Sequence, residues 1–315
     1  LECKRTNLPV ARRHIRAFRL EESMSRFPVV LVMFAVGAFG CAAAAPEISE
    51  TALFVSGQGG YNTYRIPAIV RTPAGTLLAF CEGRKTSSAD SGDIDIVLRR
   101  STDNGQTWSA MTLVQEEGDA ASITIGNPAP VVDETTGHVH LLFCRNNSRV
   151  FHTVSTDDGL TWSVRDEITT TVKAGTWSWY ATGPVHGVQL KRGAQAGRMV
   201  VPCDHSLTAG GAFGDQVVYS DDPGTSWQLG AVADAAGTVA PNENTCVELV
   251  NPAAGGGSRL YFNSRDQSGS VTRAQTYSDD GGTTYSPALF SDAAQVVCPV
   301  VQGALLRFHA TDEGW

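Results

Sequence analysis

Arg65 stands in the middle of an apolar segment, "YNTYRIPAIV" (61–70), whose pattern predicts a buried strand. A guanidinium group stays charged at any ordinary pH, so within a strand it must be paired or solvated. Pro67 follows two residues later and has no N–H to donate, which favours an edge strand or the start of a strand. An arginine in that position is a candidate for binding an anion.

Further charged side chains lie at the ends of other strand-like runs. Arginine binds a carboxylate through two parallel charge-assisted hydrogen bonds, each contributing about 1.5–3 kcal/mol. An aspartic acid nearby could transfer a proton to or from the bound molecule. The residues concerned are Arg84 at the end of "TLLAFCEGR", Asp90 six residues later, Glu243 just before "NTCVELV", and Arg265 at the end of "RLYFNSR".

The strongest signal in the sequence is an internal repeat. The pattern Ser-x-Asp-x-Gly-x-Thr/Ser-aromatic occurs four times, at spacings of 54, 65 and 58 residues. A repeat of that length is typical of one four-stranded blade of a β-propeller. We call the copies boxes 1 to 4: "STDNGQTW" (101–108), "STDDGLTW" (155–162), "SDDPGTSW" (220–227) and "SDDGGTTY" (278–285).

Each box is expected to have a structural role. Its aspartate can accept hydrogen bonds from the turn backbone, its glycine supplies a positive φ, and its aromatic ring packs on neighbouring strands. The pattern favours this interpretation over a calcium-binding or enzymatic role. The box aspartates are Asp103, Asp157, Asp222 and Asp280.

Strand order predicts which residues share a face of the propeller. Three strand-like runs precede boxes 1, 3 and 4, so each box is the hairpin between the third and fourth strands of a blade. In an up-and-down blade, the start of strand one and the end of strand two lie on the same face. The five charged residues named above are therefore expected to converge on one face, as the residues of a binding site do, with the boxes on the other.

The motifs, in this order, resemble the non-viral sialidases (exo-α-neuraminidases) with their Asp-box repeats. The resemblance runs from about residue 51 to 308 and rests on "YRIP", the four boxes, "CEGRKTSSADSGDIDIVLRRSTDNGQTW" (81–108) and "NENTCVELV…LYFNSR" (242–265). It implies an all-β fold, a six-bladed β-propeller whose first and fourth blades face each other across a central channel. Residues 46–315 would supply about four and a half blades, so the chain is expected to be an N-terminal fragment of the sialidase domain.

The resemblance also implies hydrolysis of terminal α-linked sialic acid from glycoconjugates, with retention of configuration. Arg65 and Arg265 match two of the family's three arginines that hold the substrate carboxylate, and Arg84 would line the pocket near the sugar hydroxyls. Asp90 matches the general acid/base, whose pKa is expected to rise when substrate encloses it. Glu243 matches the glutamate that polarises a tyrosine nucleophile. By the family's layout that tyrosine and the third arginine would lie beyond residue 315, so this chain alone is expected to be inactive.

Several alternatives stay open at this point. Asp93 or Asp95 could hold the acid role instead of Asp90, and Glu248, five residues along the same strand, could replace Glu243. The aromatic run "WSWYATGP" (177–184) could line the pocket or pack in the core. The intact protein could be a sialic-acid-binding lectin without catalysis, a trans-sialidase, or an interaction scaffold.

Composition limits the compartment and the partners. Residues 1–45 hold upstream residues and a basic flank followed by the apolar run 28–45 and small residues, which favours a removed secretory signal over a membrane anchor. A secreted or lysosome-like location follows. From residue 46 onward the net charge is −12, which argues against nucleic acid and leaves sialylated glycans as the expected partners. No cofactor or metal is expected, and the widely spaced cysteines are expected to be core residues of strands, with at most one disulfide.

Overall fold

Four antiparallel β-sheets follow one another along the chain in a computed structural model of the protein. Each sheet is built from strands that are consecutive in sequence, so each is one blade of a propeller. The prediction of an all-β propeller is confirmed. The structure describes residues 49–118, 122–207, 211–251, 256–298 and 300–307.

Blades 1 and 2 are regular four-stranded meanders, and the first three strands of blade 1 match the strand-like runs that precede box 1 in the sequence. Blade 1 consists of β1 (Thr63–Arg71), β2 (Leu77–Arg84), β3 (Ile94–Ser101) and β4 (Thr112–Gln115). Blade 2 consists of β5 (Ile125–Val132), β6 (Val139–Arg145), β7 (Arg149–Ser155) and β8 (Asp166–Glu167).

In blade 3 the first strand is divided in two. One short helix precedes it, α1 (Thr169–Val172), and two short strands then pair with the same partner strand. The strands of blade 3 are β9 (Trp179–Thr182), β10 (Val188–Gln189), β11 (Met199–Ser206), β12 (Phe213–Ser220) and β13 (Gln228–Asp234). Those of blade 4 are β14 (Pro241–Glu248), β15 (Leu260–Asp266), β16 (Thr272–Ser278) and β17 (Ser291–Val297).

The hydrophobic core lies between successive blades. The inner strand of blade 2, β5, is buried at every position, because both faces of its sheet are covered by neighbouring blades. The aromatic rings of boxes 2 and 3 reach the preceding blade: Trp162 packs edge-on against Phe80 of blade 1, with ring centroids 5.8 Å apart, and Trp227 lies 5.6 Å from the His152 ring of blade 2. The predicted packing of the box aromatics on neighbouring strands is confirmed for these two.

Each box forms the same hydrogen-bonded turn between the third and fourth strands. In box 1, Asp103 accepts the backbone N–H of Thr107 at 2.9 Å and its hydroxyl at 2.6 Å, while the Ser101 hydroxyl donates to Asp103 and accepts the Gly105 N–H. Gly105 has a φ of +85°, which a glycine adopts without steric cost. Asp157, Asp222 and Asp280 repeat these contacts. The structural role predicted for the box aspartates agrees with this geometry.

The first strands share an irregularity at the end that faces away from the boxes. The strand ladder is interrupted between Arg65 and Ala68 in β1 and between Gly126 and Ala129 in β5. Pro67 therefore lies in a bulge of an edge strand, where its missing N–H leaves no ladder bond unmade. The residue before each bulge proline has a left-handed backbone, with φ of 55° at Ile66 and 57° at Asn127.

These bulges are hydrogen-bonded to one another around the channel. The Asn127 N–H donates to Glu82 of blade 1 at 2.8 Å, and the Asn127 carbonyl accepts the Thr182 hydroxyl of blade 3 at 2.6 Å. The Asn244 N–H of blade 4 then donates to the Gly183 carbonyl of blade 3 at 3.4 Å. We call this series of contacts the bulge belt.

The half blade expected after blade 4 would contain "GALLRF" (303–308), and this segment is not a strand where the structure describes it, up to residue 307. It runs beside β14, with the Leu305 N–H donating to Thr245 Oγ1 at 3.1 Å and Arg307 donating to the Glu248 carbonyl at 3.2 Å. A blade's first strand requires a second strand to pair with, and the described residues after 298 supply none. The described residues thus form four blades rather than four and a half.

The chain separates into two units, Leu1–Glu50 and Thr51–Trp315, and all four blades belong to the second. The predicted signal segment and the alternative anchor at 28–45 lie outside the described residues. Among the described residues, no helix has the length and apolar character needed to cross a membrane.

Candidate active site

The ends of the first and second strands meet at one cavity of about 770 Å³. Register explains why these ends share a face: Arg84 pairs with Thr63 and Ile94, whereas Leu77 pairs with Ser101 at the box end of the blade. All five charged residues predicted from the sequence line this cavity, namely Arg65, Arg84, Asp90, Glu243 and Arg265.

On the blade 1 side, Asp90 joins two arginines. Its Oδ1 accepts Arg65 Nη1 at 2.7 Å and Arg84 Nη1 at 2.8 Å. The Asp90 side chain is 81% exposed and that of Arg65 is 46% exposed, so both are open to the cavity. Arg65 is therefore solvated, as its place in the sequence required, and it is also paired with a carboxylate of its own blade.

The ionisation of Asp90 reflects these arginines. Partial burial raises the pKa of Asp90. The hydrogen bond from Arg84 and the positive charge of Arg65 lower it by more than burial raises it, so the net pKa lies below its usual range. The sequence led us to expect a raised pKa in the presence of substrate. In the structure the pKa of Asp90 is lowered, because the arginines themselves stabilise the carboxylate.

Arg84 lines the cavity but is almost completely buried. Its Nε and Nη2 donate to Glu82 Oε2 at 3.0 and 2.7 Å, and its Nη1 donates to the carbonyls of Ser88 and Ala89 at 2.7 and 2.8 Å as well as to Asp90. Most of its donors are thus engaged with protein groups. The substrate contact predicted for Arg84 stays a prediction.

On the blade 4 side, Glu243 and Arg265 form an ion pair of 3.0 Å at the cavity wall. The neighbouring Asn242 donates its side-chain amide to Asp204 Oδ2 at 2.8 Å and its backbone N–H to Ser264 Oγ at 2.9 Å. These contacts hold the bulge of β14 in which Glu243 lies. The pair therefore has a fixed position opposite an open cavity.

Two aspartates, Asp204 and Asp215, are buried behind this wall. Burial raises the pKa of Asp204 and of Asp215 well above the ordinary value, with the charge of Glu243 acting in the same direction on Asp204. Both carboxyls are fully buried. The positively charged guanidinium of Arg265 pairs with Glu243 and faces any anion that enters the cavity.

The structure separates the alternative acids from the cavity. Asp95 is buried and accepts hydrogen bonds from Tyr61 at 2.7 Å, while Lys85 lies 3.0 Å from Asp93 and 3.2 Å from Asp95. Neither aspartate lines the cavity. Glu248 lies at the other end of β14, where it accepts the backbone N–H of Arg192 at 2.9 Å. The contacts of all three favour structural roles.

Sequence reasoning missed several residues of the site. Glu82 was passed over because a glutamate two residues before an arginine on a strand has no distinguishing pattern. Asn127 lines the cavity from the bulge of blade 2, and the signal that could have indicated it is "NPA" (127–129), which parallels "IPA" (66–68) in blade 1. In "WSWYATGP", only Trp179 lines the cavity, whereas Trp177 and Tyr180 are core residues.

The other predictions about chemistry concern cysteines and metals. Cys81, Cys144, Cys203 and Cys246 are buried in strands and unpaired, as expected for core residues, and Cys298 is half-buried and unpaired. Within the part of the chain that the structure describes, no cluster of three or more His, Cys, Asp or Glu side chains could hold a metal ion.

Comparison with known proteins places the chain in a family. The BNR repeat-like domain matches residues 75–314, and the chain belongs to that family. A "Sialidase" from Micromonospora viridifaciens is 35% identical over 261 residues, which cover 77% of this chain and 39% of that protein. "Sialidase-4" from Homo sapiens is 32% identical over 305 residues, which cover 85% of this chain and 60% of that protein.

A solved structure is also similar. The structure of a Hadza microbial sialidase superposes with a TM-score of 0.65 at 26% identity, covering 78% of this chain and 50% of that chain. The resemblance to sialidases that the motifs indicated is confirmed. The chain spans less than two thirds of the length of each of these relatives.

Proposed function

We propose that this propeller is the substrate-binding part of an exo-α-sialidase, which hydrolyses terminal α-linked sialic acid from glycoproteins, gangliosides and oligosaccharides. The observation that carries the proposal is the convergence of Arg65 and Arg265, from blades 1 and 4, on one cavity that also holds Asp90 and Glu243. Two arginines of opposite blades are suited to one carboxylate between them. The sialidase relatives support the same substrate class.

Binding of the substrate would change the partners of Asp90. The sugar carboxylate competes with Asp90 for Arg65, because both are anions that need the same guanidinium. When Arg65 turns to the substrate, Asp90 loses one positive neighbour and gains a negative one, and both changes raise its pKa. Asp90 then takes up a proton and can donate it to the leaving oxygen of the glycosidic bond. Substrate binding itself would thus convert the carboxylate into a general acid.

Glu243 has the complementary task in this proposal. Sialidases use a tyrosine nucleophile, because a neutral phenol is not repelled by the substrate carboxylate as a carboxylate nucleophile would be. Glu243 would accept the phenol proton, while its 3.0 Å contact with Arg265 keeps its carboxylate oriented. The described residues would supply the carboxylate clamp, the acid and this base.

The test is release of 4-methylumbelliferone from its α-sialoside by protein expressed from the complete reading frame. Asp90→Asn should lower kcat by about 10²- to 10⁴-fold, the usual contribution of general acid catalysis. Asp166→Asn changes an exposed aspartate of β8 that is remote from the cavity lining and should keep the wild-type rate. Equal rates for both variants would refute the assignment of Asp90.

The same protein distinguishes the alternative functions. A lectin would bind sialyllactose and leave it intact, and a trans-sialidase would transfer the sugar to added lactose instead of water. We further infer a secreted or lysosome-like location from the basic and apolar pattern of residues 1–45, which N-terminal sequencing of the mature protein tests.

A further inference from the structure

Glu82 is a buried carboxylate for which the proposed mechanism has no use. It lies near the end of β2 and is only 2% exposed. Its Oε2 accepts two hydrogen bonds from Arg84, at 3.0 and 2.7 Å, and its Oε1 accepts the Asn127 N–H of blade 2 at 2.8 Å. All its contacts therefore go to the wall of the cavity rather than to the hydrophobic core.

The other end of the Arg84 guanidinium holds the loop that carries Asp90. Arg84 Nη1 donates to the carbonyls of Ser88 and Ala89 and to Asp90 Oδ1, at 2.7, 2.8 and 2.8 Å. Three acceptors on consecutive residues share one nitrogen. The position of this loop relative to the cavity is therefore set by the position of the guanidinium.

We propose that Glu82 is a positioning residue: it fixes the Arg84 guanidinium, which in turn places Asp90 at the cavity. The inference rests on the proposed function, since it gives Glu82 a task only if Asp90 is the acid. Glu82 is not a catalytic residue, because Arg84 stands between it and Asp90.

The local structure is built around this carboxylate. A side chain at Gly126 would collide with Glu82 Oε1, so the approach of Glu82 to blade 2 requires a glycine there. A glutamine in place of Glu82 has only one acceptor oxygen and would direct N–H groups at Arg84 or at Asn127, both of which are donors. Charge and geometry are thus both specific for a carboxylate.

The charged groups around Glu82 predict how its removal changes Asp90. Arg65 from β1 and Arg84 from β2 contact Asp90, and across the cavity Arg265 and Glu243 pair with each other. From β5, the contact with Glu82 is made by the uncharged Asn127. Without the Glu82 charge, Arg84 has Asp90 as its remaining carboxylate partner and binds it more strongly, so Asp90 releases its proton at lower pH.

The experiment measures kcat against pH for wild type, Glu82→Gln and Glu248→Gln. We expect Glu82→Gln to lower kcat roughly 10- to 100-fold, the effect of a misplaced catalytic group, and to move the alkaline limb of the profile to lower pH. Glu248→Gln is the matched control, since Glu248 is also buried, ion-paired with an arginine and bonded to backbone N–H groups, but at the other end of the channel. The alkaline limb of the kcat profile of Glu248→Gln should lie at the same pH as that of wild type.

The proposal is overturned if Glu82→Gln has the same kcat as wild type and its alkaline limb lies at the same pH. If that variant does not fold, Glu82→Asp keeps the charge but is one methylene too short to hold both partners, and a kcat equal to wild type would overturn it. If the wild-type protein shows no turnover, the proposed function fails, and a ¹³C NMR titration of the Asp90 carboxyl then tests the structural part of the proposal, that Glu82 sets the contact between Arg84 and Asp90. A lower Asp90 midpoint in Glu82→Gln supports it, and an unchanged midpoint refutes it.

Discussion

On the face that carries the boxes, the blades repeat one arrangement. Each box aspartate accepts an N–H and a hydroxyl from the residue four positions later, all within its own turn. On the cavity face the carboxylates differ from blade to blade, and Asp90 and Glu243 are paired with arginines instead of turn backbone. The comparison teaches that repetition marks what each blade needs for folding, whereas a charged residue present in a single blade marks what the ring does as a whole.

The largest expected effect comes from removing an arginine on each face. Arg265→Ala should lower kcat/KM roughly 100-fold or more, because a charge-assisted contact to the substrate carboxylate is lost. Arg198 pairs with Asp221 at 2.7 Å and lies over the Tyr219 ring on the box face. Arg198→Ala should reduce stability and leave kcat/KM unchanged. Sialoside hydrolysis and thermal unfolding of both variants test this, and a lower kcat/KM in Arg198→Ala would break the division between the faces.

The next effect concerns two glycines with the same backbone conformation. Gly224 in box 3 has a φ of +79° and Gly137 in a hairpin has a φ of +78°. A side chain at Gly224 would collide with the buried His140 ring, whereas one at Gly137 meets open space. Gly137→Ala should cost about 1–2 kcal/mol from backbone strain alone, and Gly224→Ala should cost roughly 1–3 kcal/mol more from overpacking.

Urea unfolding of these two variants measures the difference directly. If Gly224→Ala and Gly137→Ala lose the same free energy of unfolding, the turn of box 3 tolerates a side chain against blade 2. The packing of each box on the preceding blade would then be looser than the contacts indicate.

A buried histidine pair beneath box 3 predicts a pH dependence of stability. Burial lowers the pKa of His140 and of His152 to about 4, and the two rings are stacked with Nδ1 of one 3.0 Å from Nε2 of the other. The unfolded histidines titrate near 6.5, so the stabilising effect is complete above that pH and is lost as the pH falls toward 4.

Two such groups give a slope of up to about 2.7 kcal/mol per pH unit between these values. His152→Gln should reduce that slope by roughly half. The measurement is the free energy of unfolding at pH 6 and pH 5. A slope in His152→Gln equal to that of wild type would mean that His152 takes up no proton on unfolding between these pH values, so that its pKa is not lowered in the folded protein.

The smallest effect belongs to a single box aspartate. The hydrogen bonds from the Thr161 hydroxyl and N–H lower the pKa of Asp157 to about 2. Its contribution to stability is present above the unfolded pKa, near 3.9, and is lost as the pH falls through 2. Asp157→Asn should therefore unfold at neutral pH slightly more easily than wild type and show a flatter loss of stability between pH 4 and 2. Acid titration followed by circular dichroism checks this.

Much of this architecture could be predicted from local patterns. The boxes are local turns, so their sequence contains nearly all of their contacts, and strand order alone predicted that Arg65 and Arg265 share a face. Glu82 could not be predicted in the same way, because its importance comes from Asn127 in the next blade, 45 residues away. The left-handed Ile66 was equally hidden, since a β-branched residue rarely adopts that conformation.

Buried carboxyls show the same limit. Asp204 and Asp215 face each other in the ladder between β11 and β12. Their burial depends on what covers blade 3, which no local pattern contains. The two-part first strand of that blade was missed for a related reason, as the break at Gly183 follows contacts with its neighbours on both sides.

The bulge belt gives the cavity a frame that is independent of the packing between blades. From Glu82 through Asn127 and Thr182 to Gly183 and Asn244, backbone and side-chain hydrogen bonds connect the inner strands without using an apolar contact. The span between the arginines of blades 1 and 4 is therefore held by directional hydrogen bonds that run around the channel. Substitutions that change side-chain volume in the outer strands should therefore lower the stability of the propeller well before they change the width of the cavity.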